Sequence, residues 1–534
     1  MATKYTQHFN PSLTSQSEPI PGENQIQNNA GGYAYAIDCW TQLNRFLLLG
    51  SEGGTFYVSE HKLTVENAQN VIACIRQDGV RAVQVITDIS TNTRAPKNDP
   101  AIFALALVKT YGDVAAKRAL YAAIPKVCRI GTHLFQFCQC VQDMASWSRG
   151  LRTAVGKWYT EMPIAHLELQ LVKYRQRQGW THRDVLRLSH PKTNSEKNPL
   201  LKYAVGKVED PQTLGGMIAA YERISQPNVK VKEVVEAIQE YRLPWEAIPT
   251  EMTKDKAVWE ALLPHMGYTA LLRNLAKMTS IGFLASNLDS NTKLVVEKLS
   301  KVAGDRVHPM AVLLALKTYA SGHGFKGSLT WSPVRSVVDI LSDAFYLAFG
   351  NVEPTNKNLC LGVDVSGSMY GASIAGTCLD AGTAAAAMAL VTAATEQNYE
   401  ILAYSHELVP LDISPKMRLD DVVNKMKKIP MGGTDCSLPI KWALANKVRI
   451  DAFVSYTDNE TWYNGSYCRH TIGHPSELLR EYRKVMNVPA KQIEVGFTAT
   501  NVSIADPGDK ESISIVGFDS ATPAIISEFV RGNI

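Results

Sequence analysis

This sequence lacks paired cysteines. Nine cysteines are scattered through 534 residues, none spaced as CxxC, and the only close pair is Cys138 and Cys140. Zinc-ligand spacing is therefore absent, and the odd count offers no disulfide framework, which predicts reduced thiols in the cytosol or nucleus. Long apolar runs are missing too: no stretch of about eighteen apolar residues is present to span a membrane. The alanine-rich run 381–394 is short and broken by Thr383 and Thr392, so it reads as a buried helix. The first 32 residues hold no apolar core of a secretory signal, and none is expected. Neither sign of charge dominates. A net charge of +4 does not by itself argue for nucleic acid, so any such argument needs a local concentration of cations.

What is present describes a globular protein of more than one domain. Hydrophobic residues make up 45% and charged residues 20%, a balance that excludes wholesale disorder. The length predicts about two to four domains. Residues 1–32 are polar and end in Gly31 and Gly32, which predicts a flexible arm. Tyr35 to about Tyr57 offers two apolar runs around a glycine turn, which predicts a short hairpin. From about Thr64 to Gly350 the apolar spacing becomes helical, in pieces of about ten to fifteen residues separated by short turns. Serial short helices of this kind predict an α-solenoid, with an irregular all-helical domain as the alternative. After Pro354 strand and helix signals alternate, beginning with NLCLGVDV. That order predicts a parallel α/β sheet and puts the boundary near residue 354.

The motif DVSGS follows the first strand of that second half. Asp364, Ser366 and Ser368 fall just past the strand's C-terminal end, where open α/β sheets place their ligands. Thr434 lies in the glycine-rich GGTD loop, and Asp458 ends the strand DAFVSYTD at the same predicted sheet edge. Hydroxyls with only one or two carboxylates suit a divalent cation such as Mg²⁺, which keeps waters and an open position. DxSxS alone is more often a capped turn; Thr434 and Asp458 at matching loops make the case. The combination resembles the metal-ion-dependent adhesion site of integrin and von Willebrand factor A-type domains, from about Asn358 to the end. The resemblance implies that Ser366, Ser368 and Thr434 touch the metal, that the aspartates act through water, and that an acidic group from a partner protein completes the open position.

One window of the helical half is basic. Arg149, Arg152, Lys157, Lys173, Arg175, Arg177, Arg183, Arg187 and Lys192 face only three acidic residues between Arg149 and Lys192: Glu161, Glu168 and Asp184. His182 and His190 add hydrogen-bonding groups, and Trp147, Trp158, Tyr159, Tyr174 and Trp180 interleave aromatic faces. Cations hold phosphate oxygens and aromatics stack on unpaired bases. The bland reading is a solvated helix face with the tryptophans in the core.

The stretches RGLRTAVGKWY, KYRQRQGWTHRDVLRLSHPK, WEALLPHMGYTALLRNLAKM and RVHPMAVLLALKTYASGHG resemble the TROVE family, and the pairing with a C-terminal A-type domain is similar to its Ro-type members. The resemblance implies three parts: an arm over 1–32, a helical RNA-binding ring over 33–353 and an A-type domain over 354–534. It implies small noncoding Y RNAs on the basic outer surface. It also implies that 3′ ends of misfolded noncoding RNAs, such as defective 5S rRNA precursors, thread through the ring. Phosphate contacts are carried onto Lys173, Arg175, Arg177, His182 and Arg183, and the hole onto Arg149 and Arg152. Arg273 and Asn274 in LLRNL fit either an RNA-facing or a structural place, and the structural one is favoured. Cytoplasmic residence with a nuclear pool is expected, with no membrane partner.

Two other classes compete. An adhesion receptor would use the A-type domain without RNA, but the missing signal and disulfides argue against it. A metal-dependent hydrolase would need a nucleophile and base near one another. His133, His166, His308 and His323 are dispersed, so no enzyme is expected.

Overall fold

The computed structural model describes residues 14–27, 31–36, 39–49, 68–91, 98–177, 179–304, 307–324, 328–371, 374, 378–430, 433–458, 473–497, 502–506, 508–516 and 522–532. From Cys39–Leu49 to Arg335–Leu347 the described chain is built from helices of 7 to 14 residues. They stack in two rows. Gly79–Thr91 packs on Val114–Val127, that helix on Arg149–Glu161, and that one on His182–Ser189. Behind them Asp99–Tyr111 packs on Gly131–Met144. The helices of the first row each bury one stripe, as the solenoid reading requires, whereas Asp99–Tyr111 is buried on every side from Pro100 to Lys109.

The expected hairpin after Tyr35 is corrected. Among the described residues of this stretch only Tyr33–Ala36 is a strand, and Cys39–Leu49 is a helix. Leu43, Phe46 and Leu47 recur at helical spacing and are buried, so the run LNRFLLL follows the period of 3.6 rather than 2. The rest of that stretch, residues 50–57, lies outside the described residues.

The flexible-arm expectation is corrected in part. Residues 14–27 lie against the second domain, with strand β1 (Gln25–Gln27) antiparallel to β2 (Tyr33–Ala36). Arg480 donates to Glu23 Oε1 at 2.6 Å, and the hydroxyls of Tyr35 and Ser476 lie 2.9 Å apart. Residues 1–13 and 28–30 lie outside the described residues.

In the helical part a two-residue hairpin, β3 (Gln176–Arg177) and β4 (Trp180–Thr181), turns at Gly179, whose φ of +82° favours glycine. The second domain holds β5 (Leu359–Asp364), β6 (Tyr399–Tyr404), β7 (Leu408–Pro410), β8 (Ala452–Thr457), β9 (Lys491–Gly496), β10 (Val502–Ser503) and β11 (Ser512–Val516). Its main sheet runs β11-β9-β8-β5-β6-β7, parallel except for the edge strand β7. Side chains alternate between its faces. Leu361, Val363 and Ala403 face the helix Ala381–Thr395, and Val454 and Ile493 continue the same core. Cys360, Leu402, Tyr404 and Phe453 pack with Leu438–Ala445 and Pro475–Met486. The chain leaves β5 toward β6 and later places β8 on the other side of β5, so a crevice opens between the C-terminal ends of β5 and β8.

Both ends of the helical region meet this domain. At the first end β10 pairs with β2, and the helix Cys39–Leu49 contacts β11. At the last end the Arg418 guanidinium lies 4.7 Å from the Tyr346 ring centroid and donates to Ser342 Oγ at 3.1 Å. The Leu419 N–H donates to the Tyr346 hydroxyl at 2.9 Å.

Candidate functional site

Asp364, Ser366, Ser368 and Asp458 meet at the crevice, and Thr434 stands on the loop that reaches the end of β6 through the Asp435 N–H on the Ser405 carbonyl. Asp364 closes β5 and is fully buried; Asp458 follows β8 and is 1% exposed. The Ser366 N–H donates to Asp364 Oδ1 at 2.8 Å, and the Thr457 hydroxyl donates to Oδ2 at 2.9 Å. The hydroxyl oxygens of Ser366 and Ser368 stand 3.1 Å apart, and Thr434 is buried on its loop. Burial, and then the charge of Asp458, raise the Asp364 pKa above the ordinary carboxylate range. Two buried carboxylates that repel, beside converging hydroxyls, form a donor set that fits a hard divalent cation. Among the described residues no group of three or more His, Cys, Asp or Glu side chains could hold a metal.

The basic residues gather differently. Arg149 and Arg152 stand exposed in the first turn of Arg149–Glu161, capped by the Ser148 hydroxyl on the Leu151 N–H. A Cβ at Gly150 would lie 2.8 Å from the Tyr121 ring, so glycine is what lets this helix approach its neighbour. Arg183 and Arg187 project one turn apart from His182–Ser189, which starts in a capping box made by Thr181 and Asp184. Arg177 is exposed on β3, opposite Trp180.

Other members of the set are already engaged. Lys173 is half-buried, 3.2 Å from Glu246 Oε1. The Arg175 guanidinium lies over the Tyr221 ring at 4.6 Å and donates to its hydroxyl.

His182 corrects an expectation. It is 4% exposed, packed against Phe135, Trp158 and Tyr159. Its Nδ1 lies 3.0 Å from the Tyr159 hydroxyl and its Nε2 3.2 Å from the Gln170 carbonyl oxygen. Burial pushes its pKa down to about 4. With both ring nitrogens occupied inside the core, it braces the start of the arginine-bearing helix and offers RNA no contact in this conformation. Asn274 is likewise buried, donating to the Ala270 carbonyl at 2.9 Å, whereas Arg273 on the same helix is exposed.

Sequence reasoning missed three cations. Arg81 lies in the first turn of Gly79–Thr91, over the Trp40 ring at 4.1 Å. Lys117 and Arg118 lie in the first two turns of Val114–Val127. With the four arginines above, they give every helix of one row a cation in its first two turns. The signal was present as a period. Arg81, Arg118, Arg152 and Arg187 stand 37, 34 and 35 residues apart, one helical hairpin each time.

The chain matches the family described as the TROVE domain over residues 26–233 and 240–320, and that described as the Ro60 vWA domain over 358–530. It is 39% identical over 538 residues to the RNA-binding protein RO60 of Deinococcus radiodurans, covering 98% of this chain and 99% of that one. The RNA-binding protein RO60 of Caenorhabditis elegans is 34% identical, covering 96% and 91%. The crystal structure of the Deinococcus radiodurans RO (RSR) protein superposes with a TM-score of 0.76 at 38% identity, covering 93% of this chain and 100% of that one.

Proposed function

The chain belongs to the Ro60 family, and on that premise we propose that it is an RNA-binding ribonucleoprotein component that works as a scaffold rather than a catalyst. The observation that carries this reading is the line of exposed cations on the four helices of one row, with Arg177 on the adjoining hairpin. Cations spaced along stacked helices suit a phosphodiester chain, because each neutralised phosphate releases a counterion wherever the next base falls. The reading assigns small noncoding Y RNAs to this basic face.

The second domain touches both ends of the helical region, which supports closure into a ring. A ring passes a single strand and rejects a duplex, so the reading extends to misfolded noncoding RNAs, defective 5S rRNA precursors among them, held by single-stranded 3′ ends. Y RNA bound beside the hole would obstruct that entry by bulk and charge. In the A-type domain, Ser366, Ser368 and Thr434 would hold Mg²⁺ directly. Asp364 and Asp458 would orient its waters, leaving a position for an acidic group of a partner protein.

Crosslinking the protein in cells and sequencing the bound RNA tests the RNA reading: enrichment of Y RNAs and of defective transcripts is expected, and recovery of no discrete RNA class overturns it. In vitro, a misfolded RNA with a 3′ tail should bind and its blunt counterpart should bind poorly. Equal binding of the two removes the threading ring.

A further inference from the structure

The segment that joins the arm to the A-type domain ends at the metal crevice. Gln16 is fully buried. Its side-chain amide donates to Asp435 Oδ1 at 2.7 Å and to the Gly473 carbonyl at 3.4 Å. Ser15 forms an antiparallel bridge with Gly473. The Gln16 carbonyl accepts the Tyr33 N–H at 2.8 Å, tying this contact to β2.

Asp435 directly follows Thr434 and is itself held from three directions. Its N–H donates to the Ser405 carbonyl at 2.9 Å, beside the end of β6. Its Oδ1 accepts the Ser437 N–H at 3.0 Å as well as the Ser437 hydroxyl, and its Oδ2 faces Lys441 Nζ at 3.2 Å. Asp435 and Lys441 are both buried, so a lost partner is not replaced by bulk water.

We propose that residues 14–17 clamp the metal crevice, and that Gln16 is a positioning residue for the hydroxyl of Thr434. The proposal rests on reading the crevice as a divalent-metal site. Mg²⁺ accepts only near-octahedral oxygens at about 2.0–2.1 Å, so a ligand loop free to drift by about half an ångström binds it poorly. Gln16 fixes Asp435 against the sheet, and Asp435 fixes the residue before it. Linkage then runs both ways: a docked segment favours the metal, and the metal favours a docked segment.

The test titrates Mg²⁺ alone into the full chain by calorimetry, beside Gln16→Ala. The variant should raise the Kd about tenfold, within the usual range of coupling between two sites. A merely structural role would lower Tm and leave the Kd unchanged, and that result overturns the clamp. A parent chain that binds no Mg²⁺ overturns the metal reading and the clamp together, whereas a binding parent with an unchanged variant removes the clamp alone. Should Gln16→Ala fail to fold, hydrogen exchange on the parent decides. The Glu18 and Tyr33 N–H groups, hydrogen-bonded to Ser15 and Gln16, should exchange more slowly with Mg²⁺ than without it. Equal rates overturn the proposal.

Discussion

The two halves of this protein sort charge in opposite ways. The helical half pushes arginines out to water and buries neutral bases: His133, His182 and His308 are each held at about pKa 4, chiefly by burial. The A-type half buries acids instead. Asp364 and Asp458 sit in the crevice, and Glu494 on β9 is pushed up to about 8 by burial. The first arrangement waits for an anion outside and tolerates imprecise placement, since a row of exposed cations meets a flexible phosphate chain. The second, on the proposed metal reading, takes a cation inside and tolerates almost none, since buried oxygens must converge on one point.

The sharpest break in that comparison is Asp364→Ala. Removing one of two buried carboxylates should weaken Mg²⁺ binding to the full chain beyond detection, a loss of at least about 100-fold in affinity. RNA affinity should stay within about twofold, because the proposed phosphate contacts lie on other elements. Calorimetry with Mg²⁺ and a filter-binding assay with Y RNA check both halves. Retained metal binding shows the ligand set to be wrong; a collapse of RNA binding in a folded variant shows the halves to be coupled.

The converse change replaces Arg149, Arg152, Arg183 and Arg187 together by alanine. Four lost phosphate contacts should flatten the log–log salt dependence of Y RNA binding by about three units, with Mg²⁺ binding untouched. Within the cluster that includes Lys173, Arg175 and Arg177, the structure sharpens the expectation. Arg177→Ala should cost more affinity than Lys173→Ala, because Lys173 is committed to Glu246. Equal losses would mean that RNA draws Lys173 away from its carboxylate.

The legibility of the two sites differed for the same physical reason. A parallel sheet forces its ligands to strand ends, so DVSGS, GGTD and the terminal aspartate of DAFVSYTD point to a common crevice from the sequence alone. The main-sheet strands β5, β6, β8, β9 and β11 and the helices after β5, β6 and β8 fell where alternating periods put them; the short edge strand β7 carried too little pattern, whereas the last helix, Thr522–Arg531, was overlooked although Ile525, Ile526, Phe529 and Val530 recur at helical spacing. In a solenoid the exposed face is set by which stripe each helix buries, and composition does not report that. His182 therefore read as a surface group although its helix turns it inward. Arg81 and Arg118 were overlooked because they lie outside the local basic run and join it only through stacking. The docking of residues 14–27 was invisible for a related reason: polar side chains such as Gln16 look solvated until the carboxylate that buries them is known.

His182 separates stability from recognition. His182→Ala removes the acceptor for the Tyr159 hydroxyl and a ring packed among three aromatics, which should cost about 2–4 kcal/mol of stability. Y RNA affinity of the folded variant should hardly change. Unfolding monitored by denaturant and binding measured below the transition check the two parts, and a large fall in affinity without loss of stability would return His182 to the interface.

The smallest effect tests the sorting of charge itself, through pH. For His182 the folded value of about 4 lies below the ordinary 6.5, so the folded chain binds fewer protons between them. Stability from keeping it neutral is present above 6.5 and is lost as pH falls toward 4. Glu494 runs the other way. Its folded value of about 8 lies above the ordinary 4.5, so the folded chain binds more protons across that interval. Its contribution is full below 4.5 and is lost as pH rises to about 8. Gln492 Nε2 donates to Glu494 Oε1 at 2.7 Å, and a glutamine at 494 keeps that acceptor without the titrating proton. Glu494→Gln should therefore change Tm little at pH 5 and raise it clearly relative to the parent near pH 8.5. Thermal melts of both chains across that range, without added metal, decide the matter: parallel curves would mean that Glu494 is ionised in the folded protein and that a neighbouring group, rather than burial, governs its charge.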